Sequence, residues 1–367
     1  MNKHFKKWGV IALLALWLAL TVFAWIKPPT DISEAERRKL ATFPTLSLSD
    51  LLSGSFAGRF ESYATDQFPL RDFFRGLKSR FHLNILGQLD NNDIYFVDGY
   101  AAKIEYPLDQ GSVDHAKDRI GYVYEKYLKD TDCSITLSIV PDKGYYLADA
   151  NGYPTLDYED LVAQIRSCIP FDQYVDLFSV LKLDNYYRSD THWRQEQLPK
   201  VADRLCEALG IGKASFEDYR QVIINAPFYG VYRGQAALPM EAEQIVTLRN
   251  GILDQCTVFN YETNRYSAIY DESKLRSRDL YDIYLSGATA LLRIENPAQD
   301  NDRELIIFRD SFGSSMIPLL VHGYGTVTVV DTRYMNPDAL SMFLEFDDQD
   351  VLFLYSTTVL NNSSALK

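Results

Sequence analysis

The chain has 367 residues, of which 47% are hydrophobic and 24% charged, and its formal net charge is −13. A chain of this length and composition can bury a large core without disulfide bridges. Its acidic balance argues against nucleic acid or a polyanionic membrane surface as a partner, and favours a neutral or weakly charged substrate.

The first predicted element is a membrane-spanning helix. Residues 9–26 form a run of 18 residues without a charge, preceded by three lysines. At 1.5 Å per residue this run is just long enough to cross about 30 Å of hydrocarbon. A cleaved signal peptide is the alternative, but its apolar stretch is usually about 7–15 residues long and ends in small residues, whereas this run ends at Trp25 and Ile26.

The positive charge before this run predicts the orientation of the chain. Lysines remain on the cytoplasmic side, so residues 1–8 are expected in the cytoplasm and the chain from residue 27 outside. We therefore expect a single-pass protein of the cell membrane whose bulk is extracytoplasmic. Residues 27–68 are expected to form a juxtamembrane linker and helical segment, followed by one domain over residues 69–367.

The predicted domain opens with a helix after Pro69. Its apolar residues repeat at helical spacing and are expected to pack inside the protein: Phe73, Phe74, Leu77, Phe81 and Ile85. Asp98-Gly99, between two apolar runs, then predicts a β-hairpin.

Strands and helices alternate over the rest of the chain. Strands are predicted at 135–140, 173–178, 244–248, 304–308, 325–330 and 350–355, and helices near 112–129, 157–167, 195–209, 313–321 and 337–344. This alternation predicts an α/β layered domain with a mostly parallel central sheet. Residues 215–300 are less regular and are expected to be an insertion over the site.

Ser311 is the candidate nucleophile. It follows the apolar run 304–308 and precedes a run with helical spacing, so it is predicted to lie at a strand-to-helix turn. At such a turn a hydroxyl projects above the sheet edge and backbone N–H groups face a developing oxyanion. An ordinary helix N-cap, with Asp310 or Ser311 accepting backbone N–H bonds, is the alternative.

His192 is the candidate base by elimination among the five histidines. The only rival, His322, falls near the end of the helix after Ser311, where a cation suits the helix dipole. Asp190 lies two residues before His192 and can hold the imidazole tautomer through Nδ1–H. The four cysteines lack metal-binding spacing, and the sequence leaves three full disulfide pairings and free thiols open.

These motifs resemble a known family. Asp190-Thr191-His192-Trp193 followed by Asp310-Ser311-Phe312 is similar to the DHHW family and to the SGNH-hydrolase-like domains of the alginate O-acetylation proteins AlgJ and AlgX. Further similar blocks lie at residues 36–44, 60–71, 140–143 and 331–334, so the resemblance runs from about residue 33 to 356. The chain departs from the pattern at Thr191 and at Arg309, and it has no clear block for the usual oxyanion asparagine.

The resemblance implies a flavodoxin-like SGNH fold and acyl transfer through an acyl-serine. Ser311, His192 and Asp190 would act as nucleophile, base and orienting acid, and Ser311 N–H would be the first oxyanion donor. The acyl group would be acetyl, the acceptor a hydroxyl of a cell-envelope or secreted polysaccharide, and the supplier a membrane-bound O-acyltransferase of the MBOAT type. No metal or other cofactor is implied. An acetylesterase, which uses water as acceptor, and a non-catalytic membrane-anchored scaffold are the alternatives.

Substrate contacts are expected near these motifs. Aromatic faces stack on sugar rings, and Lys143 follows a predicted strand at the edge where open α/β sheets bind ligands, although a surface lysine is the alternative. The candidate substrate-binding residues are Lys143, Tyr146, Tyr187, Arg188, Trp193, Arg333 and Tyr334.

Overall fold

A computed structural model describes residues 3–367, and their side chains from residue 7 onward. The expected cytoplasmic segment, residues 1–8, thus lies partly outside the described residues. The chain forms two compact units: the first runs to Asn92 and includes Arg233–Pro239, and the second comprises Asp93–Tyr232 and Met240–Lys367. The first unit therefore continues past residue 68, where the sequence suggested a boundary.

The first unit begins with the apolar helix. Within this helix, Lys7–Ile26 is long and apolar enough to cross a membrane and is not buried, as fits a signal sequence or an anchor. The elements of this unit are α1 (Lys3–Ile26), β1 (Ile32–Ser33), β2 (Arg38–Lys39), α2 (Leu48–Ser53), α3 (Ser55–Asp66), α4 (Arg71–Arg80) and β3 (Asp90–Asn91).

Ion pairs hold the first unit together. Arg38 donates from both terminal nitrogens to Asp66, at 2.8 and 2.6 Å, and the same carboxylate accepts the Ala41 N–H. These contacts, the Arg38 hydrogen bond first, lower the pKa of Asp66 to about 2. Glu36 pairs with both Arg71 and Arg75. Two of the sequence blocks that resemble the family, 36–44 and 60–71, therefore meet through complementary charges.

Helix α4 corrects one sequence prediction. It begins at Arg71 and continues as a wider π-type turn over Phe81–Ile85. Of the five apolar residues predicted to pack inside the protein, Phe74 is half-buried. The other four are exposed: Phe73, Leu77, Phe81 and Ile85. The prediction that this face packs inside the protein is therefore wrong, because helical periodicity identifies an apolar face but not what covers it.

The second unit contains the remaining elements. Its strands are β4 (Ile94–Val97), β5 (Tyr100–Lys103), β6 (Ser134–Val140), β7 (Gln173–Asp176), β8 (Arg220–Ile223), β9 (Val246–Arg249), β10 (Thr257–Asn260), β11 (Arg265–Ser267), β12 (Leu291–Glu295), β13 (Glu304–Arg309), β14 (Thr326–Val330) and β15 (Asp350–Ser356). Its helices are α5 (Gln110–Val123), α6 (Gly144–Leu147), α7 (Tyr158–Arg166), α8 (Pro199–Ala208), α9 (Val231–Ala236, which continues past Tyr232), α10 (Gly313–Met316) and α11 (Thr357–Asn361).

A mixed eight-stranded sheet is the centre of the second unit. Its strand order is β11-β10-β12-β14-β13-β15-β6-β7. The five strands from β14 to β7 pair in parallel, while β12, β10 and β11 add to the β14 edge in antiparallel fashion. The expected α/β fold with a mostly parallel sheet is confirmed.

The parallel strands are buried on both faces. Along β13, Leu305 and Ile307 pack into one apolar cluster, whereas Ile306 and Phe308 pack into another. This alternation follows from the two-residue period of a strand. It also explains why the run 304–308 is continuously apolar, as is usual for strands covered on both sides.

Several predicted elements take a different form. The irregular stretch 215–300 is more than a cover, because it supplies β10, β11 and β12 to the central sheet. The strand expected at 244–248 pairs with β8 outside that sheet.

The predicted hairpin is confirmed: β4 pairs with β5, and both turn residues have the positive φ that such a turn requires. All four cysteines are free thiols.

Candidate active site

Ser311 lies in the short turn between β13 and α10 and is half-buried. Asp310 fixes this turn: one carboxylate oxygen accepts the Phe312 N–H at 3.0 Å, and the other accepts the Ser356 N–H at 2.7 Å. The cap is therefore made by Asp310. No hydrogen bond to the Ser311 hydroxyl occurs among the described residues, so this oxygen remains available for chemistry.

Arg309 is one of the positions at which the chain departs from the family pattern, and its surroundings accommodate it. Its side chain is fully buried and donates to the carbonyls of Asp310, at 3.3 Å, and Gly287, at 3.1 Å. One guanidinium nitrogen lies 3.6 Å from the buried carboxylate of Asp331. A Cβ atom on Gly313 would lie 2.8 Å from Arg309 Cβ, so the arginine stem needs that glycine. Arg309 thus supports, from within the core, the turn between β13 and α10 that carries the candidate nucleophile Ser311. We call this turn the nucleophile turn.

The candidate base lies on a tight loop. Tyr187 N–H donates to the His192 carbonyl at 3.0 Å, and Arg194 N–H donates to the Asn185 carbonyl at 2.7 Å. These two bonds close the loop like a short hairpin. The residues between them, including Asp190, therefore have little conformational freedom.

Asp190 and His192 form a buried pair. His192 Nδ1 lies 2.7 Å from Asp190 Oδ1, and this oxygen also accepts the His192 backbone N–H at 3.1 Å. The second oxygen of Asp190 accepts the Val231 N–H at 2.8 Å. The carboxylate thereby fixes the ring with Nδ1 inward. His192 Nε2 is buried and has no hydrogen-bond partner among the described residues, as suits a base whose partner is a substrate proton or a nearby hydroxyl.

Trp193 joins the base loop to the nucleophile turn. Its indole N–H lies 3.0 Å from the Phe312 carbonyl and 2.9 Å from Ser315 Oγ. The His192 ring also contacts the Phe312 ring, with centroids 5.2 Å apart. The structure thus brings the predicted base and acid against the residue next to Ser311. The Ser311 hydroxyl and Nε2 are not hydrogen-bonded to each other, and such bonds are often loose in the absence of substrate.

Three residues of this site were missed from the sequence. Tyr281 stacks on the His192 ring, with centroids 4.0 Å apart, and its hydroxyl bonds to Ser315 Oγ at 2.7 Å. Glu243 accepts the N–H groups of Arg188 and Ser189, both at 2.8 Å. Gly230 packs so closely that an added Cβ would lie 2.1 Å from the Ser189 carbonyl.

No sequence signal pointed to Tyr281 or Glu243, and none indicated the close packing of Gly230 against Ser189. Tyr281, Glu243 and Gly230 lie in the stretch 215–300, whose irregular pattern only suggested a cover for the site. Among the described residues, no group of three or more His, Cys, Asp or Glu side chains is placed to hold a metal ion.

Lys143 is a buried cation behind the base loop. It is 2% exposed, and its ammonium donates to the carbonyls of Tyr187 at 2.9 Å and Arg188 at 3.2 Å. It also lies 5.0 Å from the centroid of the Tyr232 ring. Burial lowers the pKa of Lys143 to about 7, against the opposing pull of nearby carboxylates, Asp190 first. The expected substrate contact is therefore corrected: this lysine positions the loop.

The other expected substrate contacts divide by exposure. Trp193 and Tyr187 are completely buried, so their expected contacts are corrected to packing within the site. Arg333 forms a two-point pair with Asp331, at 2.9 and 2.7 Å. Of the remaining candidates, Tyr146 is half-buried, and Arg188 and Tyr334 are exposed.

The rival base, His322, is bonded through Nε2 to the Gly212 carbonyl at 2.6 Å.

Residues 176–330 match the family model described as DHHW protein. The resemblance to the DHHW family is confirmed. The matched segment contains both the Asp190–His192 loop and the Ser311 turn. No curated protein matches this chain in sequence at a significant level.

Solved structures agree with this family match. A DHHW family protein from Eubacterium siraeum shares 19% identity at a TM-score of 0.60, covering 75% of this chain and 94% of its own. Bacillus cereus PatB1 with a sulfonyl adduct shares 15% identity at a TM-score of 0.58, covering 73% of this chain and 97% of its own. The O-acetyltransferase domain of Pseudomonas putida AlgJ is more distant, with 13% identity at a TM-score of 0.45 over 73% of this chain and 92% of its own. The first two likenesses establish the fold.

The buried ammonium of Lys143 predicts a specific pH dependence of stability. Its folded pKa of about 7 lies below the usual lysine value near 10.4, so between these two pH values the unfolded chain binds more protons than the folded one. The unfolding free energy should therefore rise with pH between about 7 and 10 and level off below 7, where Lys143 is protonated in both states.

The matched variant is Lys143→Met, which keeps an unbranched side chain one heavy atom shorter than lysine and removes the charge. Urea unfolding from pH 6 to pH 10 should show the wild type gaining stability over this variant by something on the order of 1 to 4 kcal/mol. Parallel curves for the two proteins would mean that Lys143 is not a titrating buried group.

Proposed function

We propose that this protein is an extracytoplasmic O-acetyltransferase that uses Ser311 as its nucleophile. The observation that carries the proposal is the unpartnered, buried Nε2 of His192, which Asp190 orients from the other side of the ring at 2.7 Å. The base loop lies against the Ser311 turn through the Trp193 hydrogen bonds to Phe312 and Ser315. The likeness to PatB1, which was solved with a sulfonyl adduct, supports the proposal as well.

The proposed reaction has two transfers through one acyl-serine. His192 Nε2 takes the Ser311 hydroxyl proton as Oγ attacks the acyl carbon, and the leaving group departs with that proton. An acceptor hydroxyl then gives its proton to Nε2 and attacks the acyl carbon, and Nε2 returns that proton to Oγ as the bond from Ser311 to the acyl group breaks, which regenerates Ser311 and His192. Asp190 stabilises the imidazolium formed in each step. Ser311 N–H is the proposed first oxyanion donor, and no hydrogen bond of the described residues uses it.

The family resemblance supports our proposals for the acceptor and the acyl supplier. We propose a hydroxyl of a cell-envelope or secreted polysaccharide as acceptor, and an MBOAT-type membrane protein as the source of the acetyl group. Helix α1 would anchor the chain in the membrane, with the chain from residue 27 onward outside. The exposed side chains of Arg188 and Tyr334 are the remaining proposed sugar contacts.

Water exclusion decides between transferase and esterase, because both use the same acyl-enzyme. Tyr281 lies flat on the His192 ring and is 3% exposed, so the stretch 215–300 shields the base from solvent. This shielding favours transfer to a bound sugar over hydrolysis. Water as acceptor would make the same site an acetylesterase.

The proposal predicts ester cleavage that depends on Ser311 and His192. The protein should release acetate from p-nitrophenyl acetate, and Ser311→Ala or His192→Ala should each lower turnover by something on the order of 10⁴ to 10⁶. The double variant should be little worse, because the two groups act as a unit. Asp190→Ala should cost less than either, since its carboxylate orients the base rather than reacting.

Ser314→Ala is the matched control for these measurements. It removes a serine hydroxyl three residues along the chain from Ser311 and should leave turnover close to that of the wild type. If Ser311→Ala instead cleaves the ester at the wild-type rate and restores polysaccharide acetylation in cells, the protein acts as a non-catalytic scaffold.

A further inference from the structure

Helix α4 and its continuation over Phe81–Ile85 carry an apolar stripe that the described residues leave uncovered. Phe73, Leu77, Phe81 and Ile85 are 64%, 52%, 49% and 70% exposed. They are spaced four residues apart, so they follow one another along one side of the helix. Soluble proteins rarely leave such a row of large apolar side chains in water, and where they do it marks an interaction site.

The stripe has basic neighbours. Lys78 and Arg80 are exposed in the second half of α4, and Asp72 is the only acidic residue between positions 70 and 89. Arg71 and Arg75 are already paired with Glu36, so Lys78 and Arg80 are the cations left for a partner. This local positive charge contrasts with the formal charge of −13 of the whole chain.

An apolar face beside exposed lysine and arginine is the chemistry of a helix that lies in the membrane interface. Such a helix buries its apolar face at the boundary of headgroups and acyl chains, while its basic side chains reach anionic headgroups. The same compact unit also contains the membrane-spanning candidate Lys7–Ile26. The proposed anchor α1 would therefore tether the unit that carries the stripe to a bilayer.

We propose that the stripe of Phe73, Leu77, Phe81 and Ile85 docks the first unit onto the surface of the bilayer that α1 crosses, with Lys78 and Arg80 on anionic headgroups. This inference rests on the proposed membrane anchor. This docking would hold the first unit against the membrane surface, so that α1 is not its only attachment to the membrane. It also explains why an apolar face that the sequence assigned to the core is left open.

Photo-crosslinking of the full-length chain tests this docking. The purified protein is reconstituted in vesicles of phosphatidylglycerol and phosphatidylethanolamine, with p-benzoylphenylalanine introduced at one position. Leu77→p-benzoylphenylalanine should give lipid adducts by mass spectrometry. Trp17→p-benzoylphenylalanine, within α1, is the control for the anchor. Ser62→p-benzoylphenylalanine is the matched control, because Ser62 is an exposed polar residue on α3 of the same unit.

The outcomes separate the docking from the anchor. Lipid adducts at Trp17 and Leu77, several-fold above the yield at Ser62, support the proposal. Adducts at Trp17 with only background at Leu77 overturn the docking and leave the anchor standing. Background at Trp17 overturns the anchor and the docking together. A crosslinked dimer through Leu77 would assign the stripe to a second copy of the chain and overturn the lipid assignment.

A charge variant tests the headgroup part of the proposal. Lys78→Glu combined with Arg80→Glu should lower the lipid adduct at Leu77 several-fold in vesicles that contain phosphatidylglycerol, because the cations that draw the stripe to the surface become anions. Both positions are exposed, and the thermal unfolding midpoint of this variant should match that of the parent. An unchanged adduct yield would contradict the role of the two cations.

Discussion

The hydrogen bonds of the Trp193 indole are the contact on which the site depends. One N–H lies within bonding distance of both the Phe312 carbonyl and Ser315 Oγ, and so connects two segments that are 119 residues apart in the chain. A buried indole N–H without a partner would cost about 1–3 kcal/mol, so the loop is held where this N–H is satisfied. The fully buried ring then fixes His192, the preceding residue, beside the nucleophile turn.

The base loop itself is held by charge as well as by packing. Lys143 donates to the carbonyls of Tyr187 and Arg188, while Glu243 accepts the N–H groups of Arg188 and Ser189. A cation and an anion thus hold the same short segment through its backbone polar groups. Such contacts are independent of the loop side chains. The segment can therefore keep its shape while His192 gains and loses a proton in the proposed reaction.

The sequence predicts those parts of the site that depend on local pattern. The apolar run 304–308 followed by Asp310-Ser311 identifies a strand-to-helix turn because strand period and turn chemistry are short-range. The Asp190–His192 pair is predictable because two residues of separation on a loop allow the 2.7 Å contact. Tyr281 is not predictable in this way. It reaches His192 from a segment 89 residues along the chain, and only the packed fold determines that contact.

The errors in prediction have the same physical origin. Helical spacing in α4 identifies an apolar face but carries no information on whether protein, lipid or water lies opposite. The position of Lys143 after a predicted strand likewise suggested a substrate contact, whereas burial against two carbonyls makes it part of the loop support. In both cases the sequence specifies the chemistry of a side chain and tertiary contacts determine its partner.

Covalent trapping shows whether Ser311 is the activated nucleophile that we propose. The full-length protein is treated with a serine-directed fluorophosphonate, and the modified residue is located by peptide mass mapping. We expect one adduct per chain, on Ser311, whose formation is much slower in His192→Ala. Absence of labelling in the folded protein, or an adduct on another residue with Ser311 unmodified, would contradict it.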